Sequence, residues 1–157
     1  MVDLQCHCCF IGCSPHNEDE KSLVVARFKH NYVCLSHYPT VPGELSVVPY
    51  HHVVSIKDLP EQSFFENMVI ATALLRKTQE YAHDNIREST GGNIYTKSMG
   101  RKNEQKEYHV HTLVMPRTVI SATPGTLDGH SCKLDYDPEH YFAYVKGIIA
   151  EVTERLK

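Results

Sequence analysis

The sequence predicts an α+β domain built on an antiparallel sheet. Three observations carry this reading. Short β-rich runs are separated by turn chemistry, one long segment has helical periodicity, and no regular strand–helix alternation points to a parallel sheet. The chain has 157 residues, 41% hydrophobic and 22% charged, which suits one domain (1–157) with a core of its own. Its formal net charge is −3, and a protein that coats nucleic acid would need a basic surface instead. A small anion held in a local pocket stays compatible. No apolar run approaches the about 18 residues that span a bilayer. Met1–Cys6 carries neither a basic region nor an apolar one, so a cytoplasmic protein is expected, with a nuclear one not excluded.

The elements follow in order. Ser14–Lys21 is polar and reads as a loop. Leu23–Phe28 and Tyr32–Ser36, separated by Lys29-His30-Asn31, read as a hairpin. Pro39-Thr40-Val41-Pro42-Gly43 is a turn, and Leu45–Val48 is a further strand closed by Pro49. Asp58-Leu59-Pro60-Glu61 has the signs of a helix start. From Glu61 to Ala82 the residues Phe64, Met68, Ala71, Leu75, Thr78 and Ala82 alternate by four and three, with Phe65 and Leu74 widening the stripe. Such a stripe is a core face. Glu88–Gly92 is expected to turn, Asn93–Lys97 to form a strand, Met99–Glu107 to loop and Tyr108–Met115 to form the last strand. Residues 118–157 hold turns at Pro124-Gly125 and Asp128-Gly129, then a final helix from Asp137-Pro138-Glu139 to about Leu156.

The cysteines are unevenly placed. Cys6, Cys8, Cys9 and Cys13 crowd the first 13 residues, while Cys34 and Cys132 stand alone. Disulfides among the first four would close only tiny loops. A metal knuckle is the better reading of the Cys-x-x-Cys spacing than a redox pair, which would ask for a βαβ context. Cys8, Cys13, His7 and His16 are rival ligands. Reduced cysteines without metal are the plain alternative, and Cys34 and Cys132 read as ordinary buried thiols.

In Tyr108–Met115, Tyr108, Val110, Thr112 and Val114 would face the long helix, and His109 and His111 would share the other face. Two imidazoles along one strand can serve a metal or an anionic substrate, or simply sit at the surface. The segment Gln105-Lys106-Glu107-Tyr108-His109-Val110-His111-Thr112-Leu113-Val114-Met115-Pro116-Arg117 resembles the signature of the histidine-triad superfamily. Leu35–Val53, containing Pro42-Gly43 and Pro49-Tyr50-His51-His52, is similar to that family's upstream block. Cys6-His7-Cys8-Cys9-Phe10-Ile11 looks like the opening of its zinc-containing members. The three blocks cover about residues 6–117, leaving 118–157 as a C-terminal extension.

The resemblance implies a histidine-triad-like sheet of about five strands with one long helix and a C-terminal helix. It also implies a purine nucleotide or nucleotide conjugate as ligand, no membrane, and a homodimer. His111 would be the nucleophile, with Gln105 and Lys106 near the phosphate or leaving group. Ser36, Ser98, Gln105 and His111 would contact the nucleotide. Structural Zn²⁺ would be held by Cys6, Cys9, His52 and His109. The departures fall on functional positions: Leu113 replaces the third histidine, Ser36 an aspartate, Glu44 a histidine and Ser98 an asparagine. Such drift is similar to the splicing-associated CwfJ-type branch. Two functions follow. One is a nucleotide hydrolase or nucleotidyl transferase acting at the α-phosphate through a nucleotidyl-histidine. The other is a catalytically degenerate, zinc-stabilised binding module acting through a protein or RNA partner.

Overall fold

The computed structural model describes residues 6–13, 24–35, 44–86, 89–98, 109–118 and 153. These build a five-stranded antiparallel sheet and two α-helices: α1 (His7–Cys13), β1 (Val24–Arg27), β2 (Asn31–Leu35), β3 (Leu45–Pro49), α2 (Glu61–Ile86), β4 (Ser89–Lys97) and β5 (His111–Thr118). The spatial order is β1-β2-β3-β5-β4, so β5 is inserted between β3 and β4. The α+β class and the antiparallel sheet are as the sequence predicts. The expected loop at 99–107 and most of 118–157 lie outside the described residues; of the expected final helix only Thr153 is described.

The pleat divides the sheet into two chemically different faces. On one, Val33, Leu35, Leu45, Val47 and Val114 pack against Ile70, Ala71, Ala73 and Leu74 of α2. On the other, Tyr32 and Val48 meet Ile11 of α1, with Val24 beside them. The β1–β2 ladder shifts register between Val24 and Ala26. That bulge turns Val25 and Ala26 toward α2 while Val24 joins the α1 cluster, which simple alternation forbids.

α2 buries the predicted stripe at Ala71, Leu74 and Thr78, with Leu75 packed beside it, but departs from it in the first turns. Phe64 and Phe65 are exposed, Phe65 by 64%, whereas Ser63 and Asn67 are buried. The cause lies in the hairpin turn. Asn31, fully buried, donates from Nδ2 to the Ser63 carbonyl at 3.0 Å and to Glu66 Oε2 at 2.8 Å. Asn67 Nδ2 in turn donates to Asn31 Oδ1 at 3.0 Å and to the Val47 carbonyl at 3.2 Å. Asn31, Glu66 and Asn67 satisfy one another and hold the first turns of the helix there, whereas the buried Ser63 Oγ has no hydrogen-bond partner among the described residues.

Two other expectations change. Gly91 and Gly92 do not turn; they lie in β4, opposite Arg117 and Pro116, beyond a register shift that follows Ser89. A proline has no N–H to give the ladder, and a glycine opposite it fits this irregular stretch. The last strand starts at His111, later than Tyr108. Val110 instead donates its N–H to the Val53 carbonyl at 2.8 Å, joining the loop that carries His52.

Candidate metal centre and nucleophile

α1 has seven residues, too few to be stable alone. Its partners come from the sheet. The Cys6 carbonyl accepts the Phe10 N–H at 3.0 Å and so starts the helix. At the other end Arg27 of β1 donates to the Gly12 carbonyl at 2.6 Å and to the Ile11 carbonyl at 3.2 Å. The helix has no basic residue in its own last turn, and a guanidinium there satisfies orphan carbonyls and complements the helix dipole. The Tyr32 hydroxyl donates to the Cys8 carbonyl at 2.8 Å, and burial raises that phenol far above its ordinary value, keeping the donor protonated. Gly12 is required by closeness: a Cβ there would meet Tyr32 Cε1 at 2.9 Å and Tyr50 Cδ1 at 3.2 Å.

This docking brings Cys6 and Cys9, one helical turn apart, against His52 and His109. The four ligand atoms all lie within 4.8 Å of one another. Cys6 Sγ is 3.4 Å from His109 Nδ1, Cys9 Sγ is 3.5 Å from it, and Cys9 Sγ is 3.3 Å from His52 Nδ1. A tetrahedral zinc with Zn–S of about 2.3 Å and Zn–N of about 2.0–2.1 Å sets an S···N edge of about 3.6 Å. The spacing therefore fits a metal ion, and so does the donor set.

The second nitrogen of His109 supports the same use. Nε2 lies 2.9 Å from the Pro49 carbonyl; a carbonyl only accepts, so Nε2 carries the hydrogen and Nδ1 presents its lone pair. Burial, with smaller contributions from His52 and His111, pushes the His109 pKa down to about 4, against the pull of the Pro49 hydrogen bond. The ring is neutral at pH 7, the form that ligates metal.

His111 stands two residues on, at the start of β5. Its Nδ1–H donates to the His109 carbonyl at 2.8 Å, which leaves Nε2 as the lone-pair nitrogen. Burial lowers its pKa, opposed by that hydrogen bond; the Lys97 charge lowers it and the Glu44 charge raises it. Glu44, only 3% exposed, takes the position at which the resemblance places a histidine. Leu113 is buried on the His111 side, paired with Ser46 and Tyr95. Lys97, which the motif pattern does not single out, is the direct cross-strand partner of His111. Only the register of β4 on β5 shows this, and no local spacing in the sequence encodes it.

The remaining sequence candidates divide. Ser98 borders this region, and its Oγ accepts the Ile56 N–H at 2.8 Å, holding the 3₁₀ turn Ile56–Asp58. Ser36, Gln105 and Lys106 lie outside the described residues. Among the rival ligands, Cys13 is exposed at the end of α1, Cys8 packs against the α1 cluster, and His16 lies outside the described residues.

No family model matches the chain. The sequence is 35% identical over 103 residues to AP-4-A phosphorylase of two Mycobacterium tuberculosis strains, a match covering 66% of this chain and 50% of the relative. The chain thus spans about half the length of the curated relatives it matches. Its structure is similar to a zinc-bound histidine triad family protein of Mycobacterium smegmatis, with a TM-score of 0.68, 20% identity, and 97% and 98% of the two chains covered. It is also similar to a histidine triad nucleotide-binding protein of Candida albicans, with a TM-score of 0.59, 18% identity, and 97% and 99% covered. This chain has the histidine-triad fold. The sheet, the long helix and the position of β5 are those of a histidine-triad fold. On this fold Cys6, Cys9, His52 and His109 form a cluster able to hold a metal ion.

Proposed function

We propose that this protein binds a purine nucleotide or nucleotide conjugate in the cytoplasm and hydrolyses or transfers at its α-phosphate through a nucleotidyl-His111 intermediate. The observation that carries this reading is the hydrogen bond from His111 Nδ1–H to the His109 carbonyl. It fixes the tautomer with Nε2 as the nucleophilic nitrogen, and burial keeps the ring neutral. The Nε2 lone pair attacks the α-phosphorus and forms a P–N bond. The bond to the leaving oxygen breaks, and that oxygen departs with its electron pair. Water then attacks phosphorus, the P–N bond breaks, Nε2 recovers its lone pair, and the water proton is released to solvent.

Cys6, Cys9, His52 and His109 would hold structural zinc, which pins α1 to the sheet and fixes the backbone carbonyl that orients His111. The relatives support both halves: one is an AP-4-A phosphorylase, and one similar fold is zinc-bound. We also propose a homodimer. β4 forms an edge of the described sheet, and Phe64 and Phe65 stand exposed at the start of α2. Leu113 favours a second reading, a zinc-stabilised binding module for a protein or RNA partner, because a leucine cannot donate to a phosphate oxygen.

Intact-mass analysis after incubation with AP-4-A or an adenylyl or guanylyl phosphoramidate separates the two. The expected result is a nucleotidyl adduct or released nucleoside monophosphate that His111→Ala abolishes. Absence of turnover with all these substrates, or equal turnover by a folded His111→Ala protein, overturns the enzyme.

A further inference from the structure

We propose that Lys97 is a catalytic residue, its ammonium group neutralising the non-bridging oxygens of the phosphate attacked by His111. This deepens the reading above and rests on it. The register places Lys97 directly opposite His111 on adjacent antiparallel strands. Residues so opposed share a face, with Cβ atoms about 4.5–5.5 Å apart. Lys97 is half-buried, the exposure expected of a lysine that covers apolar surface with its stem and keeps its charge in water.

Two further features favour a cation at this place. Leu113, two residues along β5 on the His111 side, is buried and has no donor. Glu44 is buried and acts electrostatically on His111, so an incoming phosphate gains from a cation on the same face. Among the described residues, Lys97 on β4 is the positive group that acts on His111 and Glu44, just before β3, the negative one. Arg27 is committed to the α1 carbonyls. A lysine ammonium is a compact charge with three donors and suits a phosphate whose oxygens gain charge during displacement. In the step itself the P–N bond forms from the Nε2 lone pair as the leaving oxygen takes its electron pair. Lys97 keeps its proton and contributes hydrogen bonds and charge.

The test compares wild type, Lys97→Met, Lys97→Arg and His111→Ala in steady-state turnover of adenosine phosphoramidate, with adenosine monophosphate binding measured by calorimetry. Metal content and the circular-dichroism spectrum check each fold, and Lys97→Gln replaces the methionine variant if that one fails the check. Loss of one such donor is expected to lower kcat about 10²–10³-fold with a smaller change in KM, and Lys97→Arg should restore most of it. Wild-type kcat in Lys97→Met beside an inactive His111→Ala overturns the role of Lys97 and leaves the enzyme standing. If wild type itself does not turn over, the enzyme falls, and binding then decides. Affinity for adenosine monophosphate weakened tenfold or more in Lys97→Met and restored in Lys97→Arg supports the phosphate contact. Equal affinity in both, including none detectable, overturns it.

Discussion

The two faces of the sheet are held by different physics. The α2 face is an apolar layer: Ile70, Ala71, Ala73 and Leu74 bury against Val33, Leu45, Val47 and Val114. It needs nothing beyond the chain itself. The α1 face is covered by seven helical residues, with Ile11 in the buried cluster, that are fastened by specific groups. These are the Arg27 cap, the Tyr32 hydroxyl, the close approach at Gly12, and the Cys2His2 cluster. One face supplies stability, and the other supplies placement. His111 opens on the second face but belongs to a strand whose Val114 is embedded in the first, so both layers bear on its placement.

This contrast can be broken from either side. Leu74→Ala removes a fully buried side chain from the α2 layer and is expected to cost about 2–5 kcal/mol in denaturant unfolding. Metal retained per folded chain should stay unchanged; a loss of metal in proportion to stability would mean that the faces fold as one unit. Chelation does the opposite. Removing metal, or substituting Cys9→Ser, should lower amide-exchange protection in residues 7–13 by on the order of a hundredfold. Protection in β2, β3 and the first half of α2 should hold. Metal content near zero in wild type purified without added metal would remove the metal from this account.

What the sequence made legible was local. The hairpin, the strand from Leu45 and the long helix from Glu61 all follow from alternation, turn residues and a period of 3.6. Their misreadings came from distant partners. Phe64 and Phe65 look like core, yet Asn31, more than thirty residues earlier, claims the inward positions for Ser63 and Asn67. α1 could not be read as a helix because its caps come from Arg27 and Tyr32 on other strands. In the site, spacing alone left Cys8, Cys13, His7 and His16 as rivals, and the ligand set came from resemblance. Lys97 became visible only through strand register.

Gly12→Ala probes the α1 contact without touching a metal ligand. The added methyl falls 2.9 Å from a buried tyrosine ring, and overpacking of this kind costs about 1–3 kcal/mol. Reduced thermal stability with retained metal is expected. Wild-type stability would show that α1 docks more loosely than the packing at Gly12 implies.

The smallest effect is on Cys34, whose thiol lies on the α1 face beside Ile11, Val24 and Val48. Burial pushes its pKa up from 9.0 to about 12. At pH 8 a thiol with that pKa is ionised to only roughly one part in 10⁴, and the thiolate is the reactive form. Cys13 is exposed at the end of α1. Maleimide labelling followed by peptide mapping should therefore modify Cys13 first and Cys34 much later. The linkage sign follows from the same shift. Between pH 9 and 12 the unfolded chain loses the Cys34 proton while the folded one keeps it, so the stability it contributes is complete below pH 9 and lost as pH rises through about 12. Cys34→Ala should flatten that alkaline loss. Gly12→Ala or chelation, by loosening α1, should speed Cys34 labelling, while Leu74→Ala in its folded state should not. Acceleration by Leu74→Ala alone would place the cover of Cys34 on the α2 side and reverse the assignment of the two faces.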